Sequence, residues 1–158
     1  HGIIGQCEST RILVGNEFYE CIEIAARNRN VDYAILKIEE IEQLEPISIP
    51  RHLPRNSEWD EALSIHTDTI YTGYPNTTGP LTIDGKIVGY SNTEDLFVHS
   101  YAWPGSSGSG VFNEQGRLIG YIMAVSLGYT EYGINVLEDI VIVVPIFKID
   151  WSLISEEK

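Results

Sequence analysis

The sequence predicts an all-β fold, a sandwich or barrel, from three observations. Short runs rich in Val, Ile, Leu and Tyr recur along the 158 residues. Gly, Asn, Asp and Pro punctuate them at turn-like positions, and helical periodicity is almost absent. With 43% hydrophobic residues, the chain can build one or two compact units.

Arg11-Ile12-Leu13-Val14 is the first strand-like run, and Gly15-Asn16 is a strong turn dipeptide. Glu17 to Ala25 partly alternates polar and apolar residues, as a half-buried strand does. A polar loop, Arg27 to Asn30, leads to a third strand from Val31 to Ile38, with Asp32 at its mouth. Residues 39–67 are mixed and carry Pro46, Pro50 and Pro54, which suits a connection between two units. Asp68 to Pro75 is a strand ending in a turn. Leu81-Thr82-Ile83, a hairpin turn at Asp84-Gly85 and Lys86 to Tyr90 follow. Leu96 to Tyr101 runs into a glycine-rich stretch, and Val111-Phe112, Asn113-Glu114-Gln115-Gly116 and Arg117 to Ile122 read as strand, hairpin, strand. A loop carries Tyr129, Tyr132 and Gly133. Ile140 to Pro145 is the last strand, and the spaced apolar residues from Ile146 to Ile154 predict a short closing helix.

The formal charge of −13, with only ten Lys and Arg, excludes a nucleic-acid platform. The charge is compatible with a basic partner or with simple solubility. No apolar run reaches the length of a membrane span, and no signal peptide opens the chain. Cys7 and Cys21 are too few for a disulfide scaffold or a zinc site. They can bridge in an oxidising compartment or stay as buried thiols; the reading favours thiols, and with them the cytoplasm over secretion. His52, His66 and His99 read as solvated or structural histidines, and no pair of them has zinc-ligand spacing.

The chemistry concentrates in Trp103-Pro104-Gly105-Ser106-Ser107-Gly108-Ser109-Gly110. Gly105 and Gly108 bracket Ser107, and glycine adopts positive φ at little cost. A serine on such a turn can present its Oγ, while the N–H groups of Gly105 and Ser107 converge on a developing oxyanion. A plain Gly/Ser linker has similar composition, yet this stretch lies between two apolar strands. His1, Asp32 and Ser107 supply the three residue types of a nucleophile, a general base and a carboxylate that fixes the base's tautomer.

Gly105-Ser106-Ser107-Gly108-Ser109 resembles the G-x-S-G-[GS] motif of trypsin/chymotrypsin-fold serine peptidases, and Val31-Asp32-Tyr33-Ala34-Ile35-Leu36 resembles their strand carrying the catalytic Asp. The short spacings, the Asn113–Gly120 hairpin and Val143-Val144-Pro145-Ile146 are similar to the compact bacterial HtrA-like branch. The resemblance implies two antiparallel six-stranded barrels without metal or cofactor, the first in residues 1–55 and lacking its N-terminal strands, the second in 56–158 with the closing helix. It implies hydrolysis of peptide or protein substrates through an acyl-enzyme, with catalytic His1, Asp32 and Ser107 and an oxyanion hole at Gly105 and Ser107. Tyr101, Ala102, Ala124 and Val125 would line the specificity pocket and suit small or medium apolar side chains. Ser106 stands where trypsins carry an Asp that pairs with a freed N-terminus, so that activation switch is not expected. Because the sequence starts at the histidine, an upstream segment or second chain is expected to complete the first barrel. An inactive peptide-binding or scaffolding relative, and an ester or acyl hydrolase with the same triad, are the alternatives.

Overall fold

The computed structural model describes residues 5–47, 49, 57–130 and 133–153. The chain forms two compact units, one of His1–His52 with Ile149–Lys158, the other Leu53–Lys148.

The first unit is a three-stranded antiparallel sheet in the order β1 (Arg11–Val14), β2 (Glu17–Asn28), β3 (Tyr33–Ile38). Gly15, at φ +62, turns the chain between β1 and β2, and Val14 pairs with Glu17 across that turn. Cys7 and Cys21 form a disulfide, which corrects the expectation of free thiols. Cys7 lies in a short 3-10 turn (Cys7–Ser9), and this turn brings it beside β2 with the two Cα atoms 5.3 Å apart. Arg27 donates through Nη2 to the Gly5 carbonyl at 3.0 Å, a second fastening of the same segment. Tyr33 is buried, and its hydroxyl accepts the N–H of Asp150 at 3.3 Å.

The second unit is a closed six-stranded barrel. Its strands are β4 (Asp68–Gly73), β5 (Leu81–Tyr90), β6 (Leu96–His99), β7 (Gly110–Asn113), β8 (Leu118–Thr130) and β9 (Gly133–Pro145), in the order β4-β5-β6-β9-β8-β7. In β4 alternate residues, Thr69, Tyr71 and Gly73, turn inward. They meet a core of Ile87, Leu96, Val111, Ile119, Ile122 and Val143, each at most 2% exposed. β8 and β9 continue past the barrel as a two-stranded ribbon, from Ser126↔Leu137 to Thr130↔Gly133.

Two expected elements come out differently. β5 runs unbroken through Asp84-Gly85, so there is no hairpin there. Gly85 is required by close approach instead, because a Cβ would stand 2.7 Å from the Ser100 Cβ and 2.8 Å from the His99 carbonyl oxygen. The connection around residues 39–67 contains a short helix, α1 (Ser57–Ala62), anchored by Trp59. The short closing helix is present as two 3-10 helices rather than one continuous helix, Ile146–Lys148 and Trp151–Leu153, and Ile154 lies outside the described residues. No described helix is long and apolar enough to cross a membrane.

Candidate active site

The serine turn joins β6 to β7 and is built almost wholly from its own backbone. Ser106 N–H bonds to the Trp103 carbonyl at 2.9 Å, and Ser109 N–H to the Ser106 carbonyl at 3.1 Å. Gly108 N–H donates to Ile122 at 2.7 Å, and Ile122 N–H returns a bond to Ser109 at 2.9 Å, which fastens the turn to β8. On its other side the Asn76 N–H donates to Pro104 at 2.7 Å. Gly105 has φ +99 and packs so closely on the Tyr74 carbonyl oxygen that a Cβ would collide with it. Gly108, at φ +86, faces open space, so its requirement is backbone conformation alone.

This partition of hydrogen bonds has a chemical consequence. Ser106, Gly108 and Ser109 have committed their N–H groups, and Pro104 has none. Among the described residues, the N–H groups of Gly105 and Ser107 donate to nothing. Ser107 is exposed, and its Oγ donates to the Met123 carbonyl at 3.3 Å, at the irregularity in β8 between Ile122 and Ala124.

Under the turn lies a polar support that the sequence reading passed over. Tyr71, buried in β4, donates its hydroxyl to the Tyr101 carbonyl. Ser106 is 1% exposed, and its Oγ accepts the Trp103 N–H at 3.4 Å. Burial pushes the Tyr71 hydroxyl above its usual pKa of 10.0, and a hydrogen bond with Ser106 offsets part of that rise. The inward alternation of β4 was the available signal for Tyr71, since a buried Tyr hydroxyl needs a partner.

The other expected residues distribute as follows. Tyr101 and Ala102 belong to the same loop as Ser107; Tyr101 is exposed and stacked on Trp103 at 6.0 Å and 11°, whereas Ala102 is buried. Ala124 and Val125, half-buried, follow Met123 on β8 and pair with Ile142 and Val141. Asp32 belongs to the first unit, in the turn that opens β3, at φ +59. There Asn28 Oδ1 accepts the N–H groups of Asn30 and Val31 at 2.9 and 3.3 Å, a side-chain mimic of a turn. His1 and His52 lie outside the described residues. His99 stands 3.8 Å from Asp139, both exposed. The described residues contain no group of three His, Cys, Asp or Glu able to hold a metal.

Residues 6–120 match the family described as the trypsin-like peptidase domain. The chain belongs to that family. The matched span contains both Asp32 and Ser107. Among solved structures, the chain is similar to the serine endoprotease from Yersinia pestis, with a TM-score of 0.66 and 21% identity. That similarity covers 94% of this chain and 49% of the endoprotease, so the chain spans about half the length of the protein it resembles. No curated protein matches it. The peptidase fold accounts for the closed barrel and for the serine turn at its mouth.

Proposed function

We propose that this trypsin-like peptidase domain is a serine endopeptidase, with Ser107 as nucleophile, His1 as general base and Asp32 as the carboxylate that orients it. The observation that carries the reading is the pair of uncommitted N–H groups, Gly105 and Ser107, in a turn whose other N–H groups are all bonded. Ser107 Oγ bonds to the scissile carbonyl carbon as its proton passes to His1. The two N–H groups hold the resulting oxyanion, and collapse breaks the C–N bond with the proton delivered to the leaving amine. Each oxyanion donor contributes on the order of 10²–10³ in rate. Water then hydrolyses the acyl-enzyme with the same base. Tyr101, Ala102, Ala124 and Val125 line the specificity pocket, which takes small or medium apolar side chains of peptide or protein substrates.

The first unit's open sheet exposes Leu13, Phe18 and Ile22, with Leu13 paired to Phe18 across β1 and β2. An upstream segment or a second chain covers this face and completes the first barrel. A structural disulfide persists in oxidising compartments, which favours secretion over the cytoplasm.

The test is labelling with a fluorophosphonate probe and mass mapping of the adduct. Modification of Ser107 in the wild type, lost in Ser107→Ala and His1→Ala and reduced in Asp32→Asn, is the expected result. Absence of labelling in folded protein, with and without upstream residues, leaves the non-catalytic peptide-binding relative instead.

A further inference from the structure

Two aromatic residues lead into the serine turn, with their backbone pinned and their rings left in solvent. Tyr101 and Trp103 stack nearly parallel, at 6.0 Å and 11°, yet remain 55% and 41% exposed. Adjoining large rings kept in water mark a surface built for contact. Buried polar groups hold the pair from beneath. The Tyr71 hydroxyl donates to the Tyr101 carbonyl, and Tyr71 is buried in the barrel. Trp103 is fixed at both backbone polar groups by one buried residue: its N–H donates to Ser106 Oγ at 3.4 Å, and its carbonyl accepts the Ser106 N–H at 2.9 Å. Pro104 follows with a fixed φ, and its carbonyl accepts the Asn76 N–H at 2.7 Å. Rigid rings on a fixed backbone lose little entropy when a partner docks on them.

The pair adjoins the proposed oxyanion donors. Trp103 stands two residues before Gly105, so the two backbones are separated by at most about 7 Å. A peptide whose scissile carbonyl sits at Gly105 and Ser107 therefore carries a flanking side chain past the indole. A cation suits that place. The face of an aromatic ring is electron-rich, that of Trp most strongly, and a planar guanidinium stacks on it while staying partly hydrated. The formal charge of −13 favours a cationic occupant over an anionic one. The fold makes the same contact elsewhere, where the Arg117 guanidinium lies 5.9 Å over the Trp59 ring. We propose that Trp103, backed by Tyr101, is a specificity-determining residue that stacks on an arginine beside, not at, the cleaved position of a peptide substrate. This rests on the peptidase reading of Ser107 and adds the substrate class: peptides with an apolar cleaved residue and a flanking arginine.

The test uses peptides with valine at the cleaved position and arginine, citrulline or leucine at each flanking position in turn. Citrulline keeps the planar shape of arginine without its charge. Rates are compared at about 0.5 M salt, where the general field of the chain reaches only a few ångströms. At one flanking position, kcat/KM for arginine is expected to exceed that for citrulline about threefold to fivefold. Trp103→Leu brings the two within about 1.5-fold, and Trp103→Phe gives an intermediate ratio. Each ratio is internal to its variant, so a general loss of activity does not move it, and circular dichroism confirms folding. Calorimetric titration of Ser107→Ala with the same peptides separates the two readings. Absence of cleavage together with a Trp103-dependent preference for arginine in binding supports the aromatic contact and overturns the peptidase reading. The proposal itself is overturned by equal arginine and citrulline values at every flanking position, in cleavage and in binding. It is also overturned by an arginine preference that survives in folded Trp103→Leu, or by a leucine peptide that matches the arginine one.

Discussion

Gly105 is the position where the serine turn tolerates least change. Its φ of +99 and its contact with the Tyr74 carbonyl oxygen act together, so Gly105→Ala both strains the backbone and pushes a carbonyl aside. Fluorophosphonate labelling of Ser107 is expected to slow on the order of 10²-fold, because one donor of the pair leaves its place. Gly108→Ala meets strain without a clash, and its effect on the same rate is smaller. Tyr71 gives a pH signature. Its folded-state pKa is raised, so its contribution to stability is complete below about pH 10 and is lost as pH rises through the folded value. Thermal melts above pH 10 should therefore fall less steeply in Tyr71→Phe than in the wild type. At neutral pH that variant loses the hydrogen bond to Tyr101, at a cost of about 1 kcal/mol.

At the scale of elements, the strands were legible wherever apolar runs met unambiguous turns. Gly15 and the Asn113–Gly116 hairpin sit where expected, with Asn113 Oδ1 accepting the Arg117 N–H at 2.9 Å and Gly116 at φ +73. Asp84-Gly85 misled because a glycine chosen for close packing looks, in one dimension, like a glycine chosen for a turn. Only the strand neighbours that the topology brings to Gly85 tell the two apart. The ribbon of β8 and β9 was invisible for a related reason: its register depends on pairing between segments with little periodicity of their own. The disulfide was illegible because two cysteines carry no information about the distance between them. Its effect is measurable: the bridge spans a sequence separation of 14, so reducing it, or replacing both cysteines by serine, is expected to destabilise the first unit by about 3 kcal/mol in chemical denaturation.

For the whole molecule, the barrel class and the serine turn were readable, since both rest on local pattern. The proposed triad rests instead on residues far apart in the chain, with Asp32 and Ser107 in different units, and no local pattern reports on that. The formal charge of −13 acts at this scale too. On the proposed peptidase reading it favours the approach of cationic peptides, through a field that salt screens over about 8–10 Å at 0.1–0.15 M. With a cationic and a neutral peptide of equal apolar content at the cleaved position, kcat/KM for the cationic one is expected to fall as salt rises from low ionic strength, while the neutral one stays level.

The division of labour among the amides of the serine turn also sets their lifetimes against solvent. In deuterated water, the Gly108 and Ile122 amides, bonded across between the serine turn and β8, should retain protons long after those of Gly105 and Ser107 have exchanged. The proposed anion hole thus predicts a spectroscopic fingerprint in the resting protein, two fast amides among slow ones, and a boronate or other tetrahedral mimic that fills the hole would slow those two first.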